Sequence, residues 1–141
     1  PQSVNGYSGY SSSPNYDKNW ITTSSLRIRY NNTIDYLING LTYNGFQFKL
    51  NMPVFVRDSG YFSAPANADT LLNEFLEMMF AFVPTGSRYD ELKTAFLNNL
   101  SVTNWQNEWN AYLNTNNATS VKIALDRLVK AVIKSPEFQI M

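Results

Sequence analysis

The chain has 141 residues, with 11 basic and 11 acidic side chains that balance to zero net charge, and it contains neither histidine nor cysteine. Without His no side chain titrates near neutrality at its ordinary pKa, and without Cys there is no thiolate nucleophile or soft metal ligand. Ser-His-Asp, Cys-His, zinc and haem-His sites therefore cannot be assembled from this chain alone, and the charge balance argues against nucleic acid, whose footprint is clustered Lys and Arg.

A carboxylate-pair hydrolase or a calcium site stays chemically open. The lack of Cys fits a bacterial cell-envelope protein and a cytosolic one equally well. No apolar run approaches the ~18 residues of a membrane span, so no membrane insertion by this segment is expected. The chain opens on Pro1 rather than Met, and we expect a piece of a longer protein or a processed form. Nine Tyr, nine Phe and three Trp are ample for one core, and a single helical domain over residues 1–141 is expected.

Residues 1–19 carry Gly6, Gly9 and Pro14 without an apolar period and read as an extended strap. Its tyrosines, Tyr7 and Tyr10 among them, would pack over the helices or form an aromatic contact surface. From Trp20 to Gly40, the apolar residues Leu26, Tyr30, Ile34, Leu37, Ile38 and Leu41 recur at helical spacing. Thr22, Thr23 or Ser24 would cap this helix, and Asn39-Gly40 would stop it.

The stretch from Leu41 to Pro65 is ambiguous. Phe46-Gln47-Phe48-Lys49-Leu50 alternates as a half-buried strand would, with Asn44-Gly45 as a turn, so a small hairpin competes with a packed loop. Val54-Phe55-Val56 reads as another short extended piece.

Four helices follow. Residues 66–83, started by Asn67 or Asp69, are apolar over a wide arc through Leu71, Leu72, Phe75, Leu76, Met79 and Phe80, and this helix should be central. Residues 87–100 open with Ser87 and Asp90 at capping-box spacing and would bury Leu92, Phe96 and Leu100. The next helix opens with Thr103 and Gln106, again at that spacing, and lines up Trp105, Trp109, Tyr112 and Leu113. The last helix, capped by Thr119 or Ser120, places Val121, Ala124, Leu125, Leu128, Val129, Val132 and Ile133 on one face and pairs Asp126 with Lys130. It stops at Pro136. The expected fold is mainly α: an irregular bundle of about five helices with a long N-terminal loop and room for a small β-hairpin.

Three groups of side chains are candidates for chemistry. Glu74 and Glu77, three apart on one helix, could share a face, but the solvated side of an amphipathic helix explains them as well. Trp105, Trp109 and Tyr112 have aromatic faces suited to sugar rings, with Asn104, Gln106, Asn107 and Asn110 beside them; the commoner use of such spacing is core burial. Arg27, Arg29, Arg57 and Lys49 could meet anions or form structural ion pairs. No Gly-rich phosphate loop exists, and no catalytic residue, cofactor or metal ligand is assigned.

The ending Val132-Ile133-Lys134-Ser135-Pro136-Glu137-Phe138-Gln139 resembles the C-terminal signature of the bacterial domain-of-unknown-function family numbered 1800. The opening Pro1-Gln2-Ser3-Val4-Asn5-Gly6-Tyr7, with Pro14, Tyr16, Trp20-Ile21 and Arg29, is similar as well, as is Ala64-Pro65 leading into Leu71-Leu72. The resemblance spans most of this chain and the C-terminal third or so of a family member. It implies a predominantly helical, exported bacterial protein of the cell envelope or secreted, whose partners would be the remainder of its own chain and a sulfatase-like protein encoded nearby. It brings no catalytic residues to carry over. The leading expectation is a non-catalytic structural or interaction region. The alternatives are a carbohydrate-contacting module using Trp105, Trp109, Tyr112, Tyr7 and Tyr10, or the accessory part of an enzyme whose catalytic residues lie elsewhere.

Overall fold

A computed structural model describes residues 22–139; the strap expected over residues 1–19, with Tyr7 and Tyr10, lies outside the described residues. The chain divides into two compact units, Pro1–Thr33 and Ile34–Met141. Of the first, the described part is the start of helix α1, Thr23–Ile34. Its cap is reciprocal: the Ser25 amide donates to Thr22 Oγ1 at 3.1 Å and the Thr22 amide donates to Ser25 Oγ at 2.9 Å. Two first-turn amides are thereby satisfied, with Ser in the place Glu or Gln usually takes.

The second unit begins at the end of α1, where the helix widens into a π-helical turn, Asp35–Asn39, closed by the Gly40 amide on the Asp35 carbonyl at 3.1 Å. Gly40 then reverses the chain at φ +92°, and a β-carbon there would lie 3.2 Å from the Phe48 carbonyl oxygen. Glycine is needed for both reasons. Strands β1 (Leu41–Tyr43) and β2 (Phe46–Phe48) follow as an antiparallel hairpin pairing Leu41 with Phe48, Thr42 with Gln47 and Tyr43 with Phe46. Asn44 and Gly45 both take positive φ, as a two-residue turn matched to strand twist requires. The expected half-burial of β2 is not observed. All six strand residues are exposed, and among the described residues of this unit no element packs over either face of the hairpin.

Helix α2, Met52–Asp58, replaces the extended piece expected at Val54-Phe55-Val56. Pro53 lies in its first turn, where a missing N–H is no loss and the fixed φ is already helical. Helices α3 (Ala68–Met79), α4 (Ser87–Leu97), α5 (Val102–Thr115), α6 (Thr119–Ile133) and the single turn α7 (Pro136–Gln139) complete the unit. Asn67 caps α3, its Oδ1 accepting from the Asp69 and Thr70 amides at 3.0 and 3.1 Å.

Other caps differ from expectation. α4 starts from Gly86, so Ser87 is its first residue and makes no cap. Left-handed Asn98 and Asn99 end it before Leu100, which is exposed rather than buried. Ser101, not Thr103, caps α5 by accepting from the Asn104 amide at 3.1 Å. Asn117 holds the start of α6 through the amide and hydroxyl of Thr119. On α6, Asp126 pairs with Lys122, one turn before it, rather than with the expected Lys130, one turn after it.

Every apolar position read on α6 is buried: Val121, Ala124, Leu125, Leu128, Val129, Val132 and Ile133. α6 packs against α2, α4, α5 and α7, while α3 packs on α5. Leu71, Leu72, Phe75 and Leu76 of α3 join Leu92 and Phe96 of α4 in the same core. The mainly α bundle is thus observed, with seven α-helices and one two-stranded sheet among the described residues. None of these helices is long and apolar enough to cross a membrane.

Leu128 is fully buried at the middle of α6. Leu128→Ala is expected to cost about 3–5 kcal/mol through lost transfer energy and an unfilled cavity, much of a domain's usual ~5–15 kcal/mol. A lowered urea midpoint at unchanged slope would show it; a loss under ~1 kcal/mol would remove α6 from the centre of the fold.

Candidate functional site

The aromatic side chains of α5 face inward. Trp105, Trp109 and Tyr112 are 3%, 2% and 2% exposed, so none offers an open ring face to a sugar. Trp105 stands edge-on to Phe96 at 4.7 Å between centroids, and Trp109 links Trp105 to Tyr112 at 5.7 and 5.5 Å. Edge-on and tilted pairs suit the ring quadrupoles and add to area burial. The Trp105 indole N–H donates to the Pro65 carbonyl at 2.9 Å, which ties the loop before α3 to α5. Leu113, expected on this face, is exposed instead. Of the two uses weighed for Trp105, Trp109 and Tyr112, core burial is the one observed, and the alternative of an open carbohydrate platform is not formed. Tyr7 and Tyr10 lie outside the described residues.

The charged candidates serve local structure. Glu74 accepts from the Ser63 amide and hydroxyl, at 3.0 and 2.5 Å, fixing the loop ahead of α3, while Glu77 is exposed. Arg27, Arg29 and Lys49 are also exposed. Arg57 forks onto its neighbour Asp58 at 2.6 and 2.8 Å, reaches Asn116 Oδ1 at 3.2 Å, and lies over the Tyr112 ring at 5.5 Å. It clips the end of α2 to the end of α5.

The closing motif both stops α6, which ends at Ile133, and restarts the chain as the short turn α7. Buried Ser135 accepts from the Phe138 amide at 3.2 Å, Pro136 opens α7, and Phe138 packs against the core. Glu137 receives Arg88 of α4 on both oxygens, at 3.0 and 3.2 Å.

The groups with shifted titration all move away from neutrality. Arg57 holds the Asp58 carboxyl below its usual range, and Arg88 does the same to Glu137. Asp58 and Glu137 in turn hold the two guanidinium groups above theirs. Burial, with Asp69 and Asp90 nearby, pushes the Tyr89 phenol up. None of these is poised to exchange a proton near pH 7, as a general acid or base would be. Among the described residues no group of three or more acidic side chains is placed to hold a metal.

What the molecule does present is the hairpin. The register puts Leu41, Tyr43, Phe46 and Phe48 on one face and Thr42 and Gln47 on the other. Tyr43, Phe46 and Phe48 are 65%, 71% and 61% exposed, and Leu41 adds to them. The alternation in Phe46-Gln47-Phe48-Lys49-Leu50 puts Phe46 and Phe48 on one face and predicts half-burial, whereas both are exposed.

No family model, no curated protein and no solved structure matches the chain.

The Arg88–Glu137 pair anchors the closing turn to α4 with both side chains about one-third exposed, so its contribution is expected to be ~1 kcal/mol or less. The folded-state pKa of Glu137 is depressed, so this stability is present above the unfolded value near 4.5 and is lost as pH falls through the folded pKa. Glu137→Gln should lower the urea midpoint at pH 7 and match the parent once acid has protonated Glu137 in both states. A deficit that persists unchanged in acid would assign the effect to packing.

Proposed function

We propose that this chain is a non-catalytic structural and interaction module that self-associates through the apolar face of its hairpin. The observation that supports it is the exposure of Tyr43, Phe46 and Phe48 on one face. At ~200 Å² per ring these side chains leave about 400 Å² of apolar surface, within the ~300–600 Å² of the largest patch on a typical monomer, which is often functional.

The occupant that fits is a second copy. The face carries no charged side chain, so apposing two of them about a two-fold axis brings no like charges together. With Leu41 included, the pair would remove about 900 Å² from water, close to the ~1,000 Å² floor for specific association. That size predicts a weak, reversible dimer rather than an obligate one. The exported bacterial setting, the remainder of a longer chain and a sulfatase-like neighbour rest on the resemblance of the opening and closing motifs, and add no residue to this surface.

Sedimentation equilibrium from low micromolar to near-millimolar protein should show mass rising toward twice the monomer. Phe46→Ser with Phe48→Ser should hold the chain monomeric while leaving stability within ~0.5 kcal/mol, as expected for exposed positions. A monomer at every concentration, or a dimer indifferent to the double substitution, would overturn the proposal.

A further inference from the structure

Between the base of the hairpin and the helices lies a cavity of about 240 Å³ lined entirely by apolar side chains. Leu37 of the π-helical turn and Met52 and Phe55 of α2 form one side. Met78 and Met79 of α3 and Phe138 of α7 contribute to the others. Leu37, Phe55 and Phe138 are themselves partly exposed, so the cavity has a mouth. The Leu50 amide donates to the Leu37 carbonyl at 2.9 Å, which closes the base of the hairpin beside it.

We propose that this cavity binds the alkyl chain of a medium-chain fatty acid, with the carboxylate left at the mouth. The wall offers water no hydrogen-bond partner, and apolar cavities of about 150 Å³ stay dry and take up apolar molecules. At the ~30 Å³ of a water-sized group, this volume holds roughly eight methylenes. Three methionines line it, Met52, Met78 and Met79, and their unbranched, polarisable side chains adapt to a flexible chain better than branched ones do.

The polar end of the ligand must stay outside, since nothing in the wall could pair with it. Exposed Lys49 directly precedes the lining residue Leu50 in the chain, and a cation beside the rim would favour an anionic head. Asp35, two residues from Leu37, already accepts from the Asn39 amide group at 3.1 Å. A π-helical turn in the wall is a further pointer, because such turns are rare and frequent at functional sites. The site is separate from the hairpin's apolar face and does not depend on the dimer.

The test uses the chain labelled with carbon-13 at its methionine methyl groups and titrated with fatty acids of increasing length below their micelle concentrations. Saturable shifts of Met52, Met78 and Met79 are expected. Affinity should rise about fourfold per added methylene and level off near eight to ten carbons as the chain outgrows the cavity. Val129→Phe, which grows a ring from the lining into the cavity, should weaken octanoate at least tenfold; Met78→Phe serves the same purpose should the first fold poorly. Lys49→Glu should weaken octanoate while leaving octylamine no worse bound. Methyl signals that do not move, an affinity indifferent to chain length, or binding unchanged in folded cavity-filling variants would overturn the site. Octylamine bound as well as octanoate by the parent chain would overturn the assignment of an anionic head.

Discussion

Burial of one face of α6 is the constraint on which the rest of the second unit depends. Val121, Ala124, Leu125, Leu128, Val129, Val132 and Ile133 leave water together, and they do so against α2, α4, α5 and α7. None of those four is a convincing helix in isolation. α7 is a single turn, α2 has seven residues, and short helices are marginal in water whatever their sequence. Docking on α6 supplies what propensity does not. The polar contacts act afterwards as positioners: Arg57 on Asn116 clips α2 to α5, Trp105 on Pro65 ties a loop to α5, and Arg88 on Glu137 ties α7 to α4. All three join elements that the apolar core has already brought close.

This order of dependence explains which parts of the fold were legible in the sequence. The apolar stripe of α6 repeats with the helical period over four turns, and no other arrangement buries it. α3 is read as easily for the same reason. Caps are decided by finer competition. Ser87 and Ser101 are both plausible first-turn residues, yet Ser101 caps and Ser87 does not, because positive-φ Gly86 moves the helix start one residue earlier. The left-handed pair Asn98-Asn99 then cuts α4 short and exposes Leu100. Such choices differ by about 1 kcal/mol, less than the packing that surrounds them.

Val54-Phe55-Val56 shows the opposite failure. β-branched and aromatic residues favour strands by local preference, but Pro53 in a first turn and burial of Met52 and Val56 against the core make the helix the better solution. The aromatic group on α5 was ambiguous for a related reason. Helical spacing of Trp105, Trp109 and Tyr112 states that they share a face and says nothing of which way it looks. Phe96 on a neighbouring helix decides that, and contacts across elements are not written in spacing.

The least legible segment, residues 35–55, is also where the surface departs most from an ordinary helical bundle. It contains a π-helical turn, a glycine with no room for a side chain, a hairpin exposing its aromatic face and one wall of an apolar cavity. Each works against local stability. A two-stranded hairpin is marginal alone, an exposed aromatic ring forgoes burial, and side chains lining a cavity make fewer packing contacts with the protein. A sequence selected for folding alone would remove these features with one or two polar residues on β1 and β2 and a larger side chain at Val129. Natural chains tend to break local rules where another requirement overrides them. The gathering of several such breaks between Asp35 and Phe55 supports the proposal that the hairpin and the cavity beside it carry the work of this molecule.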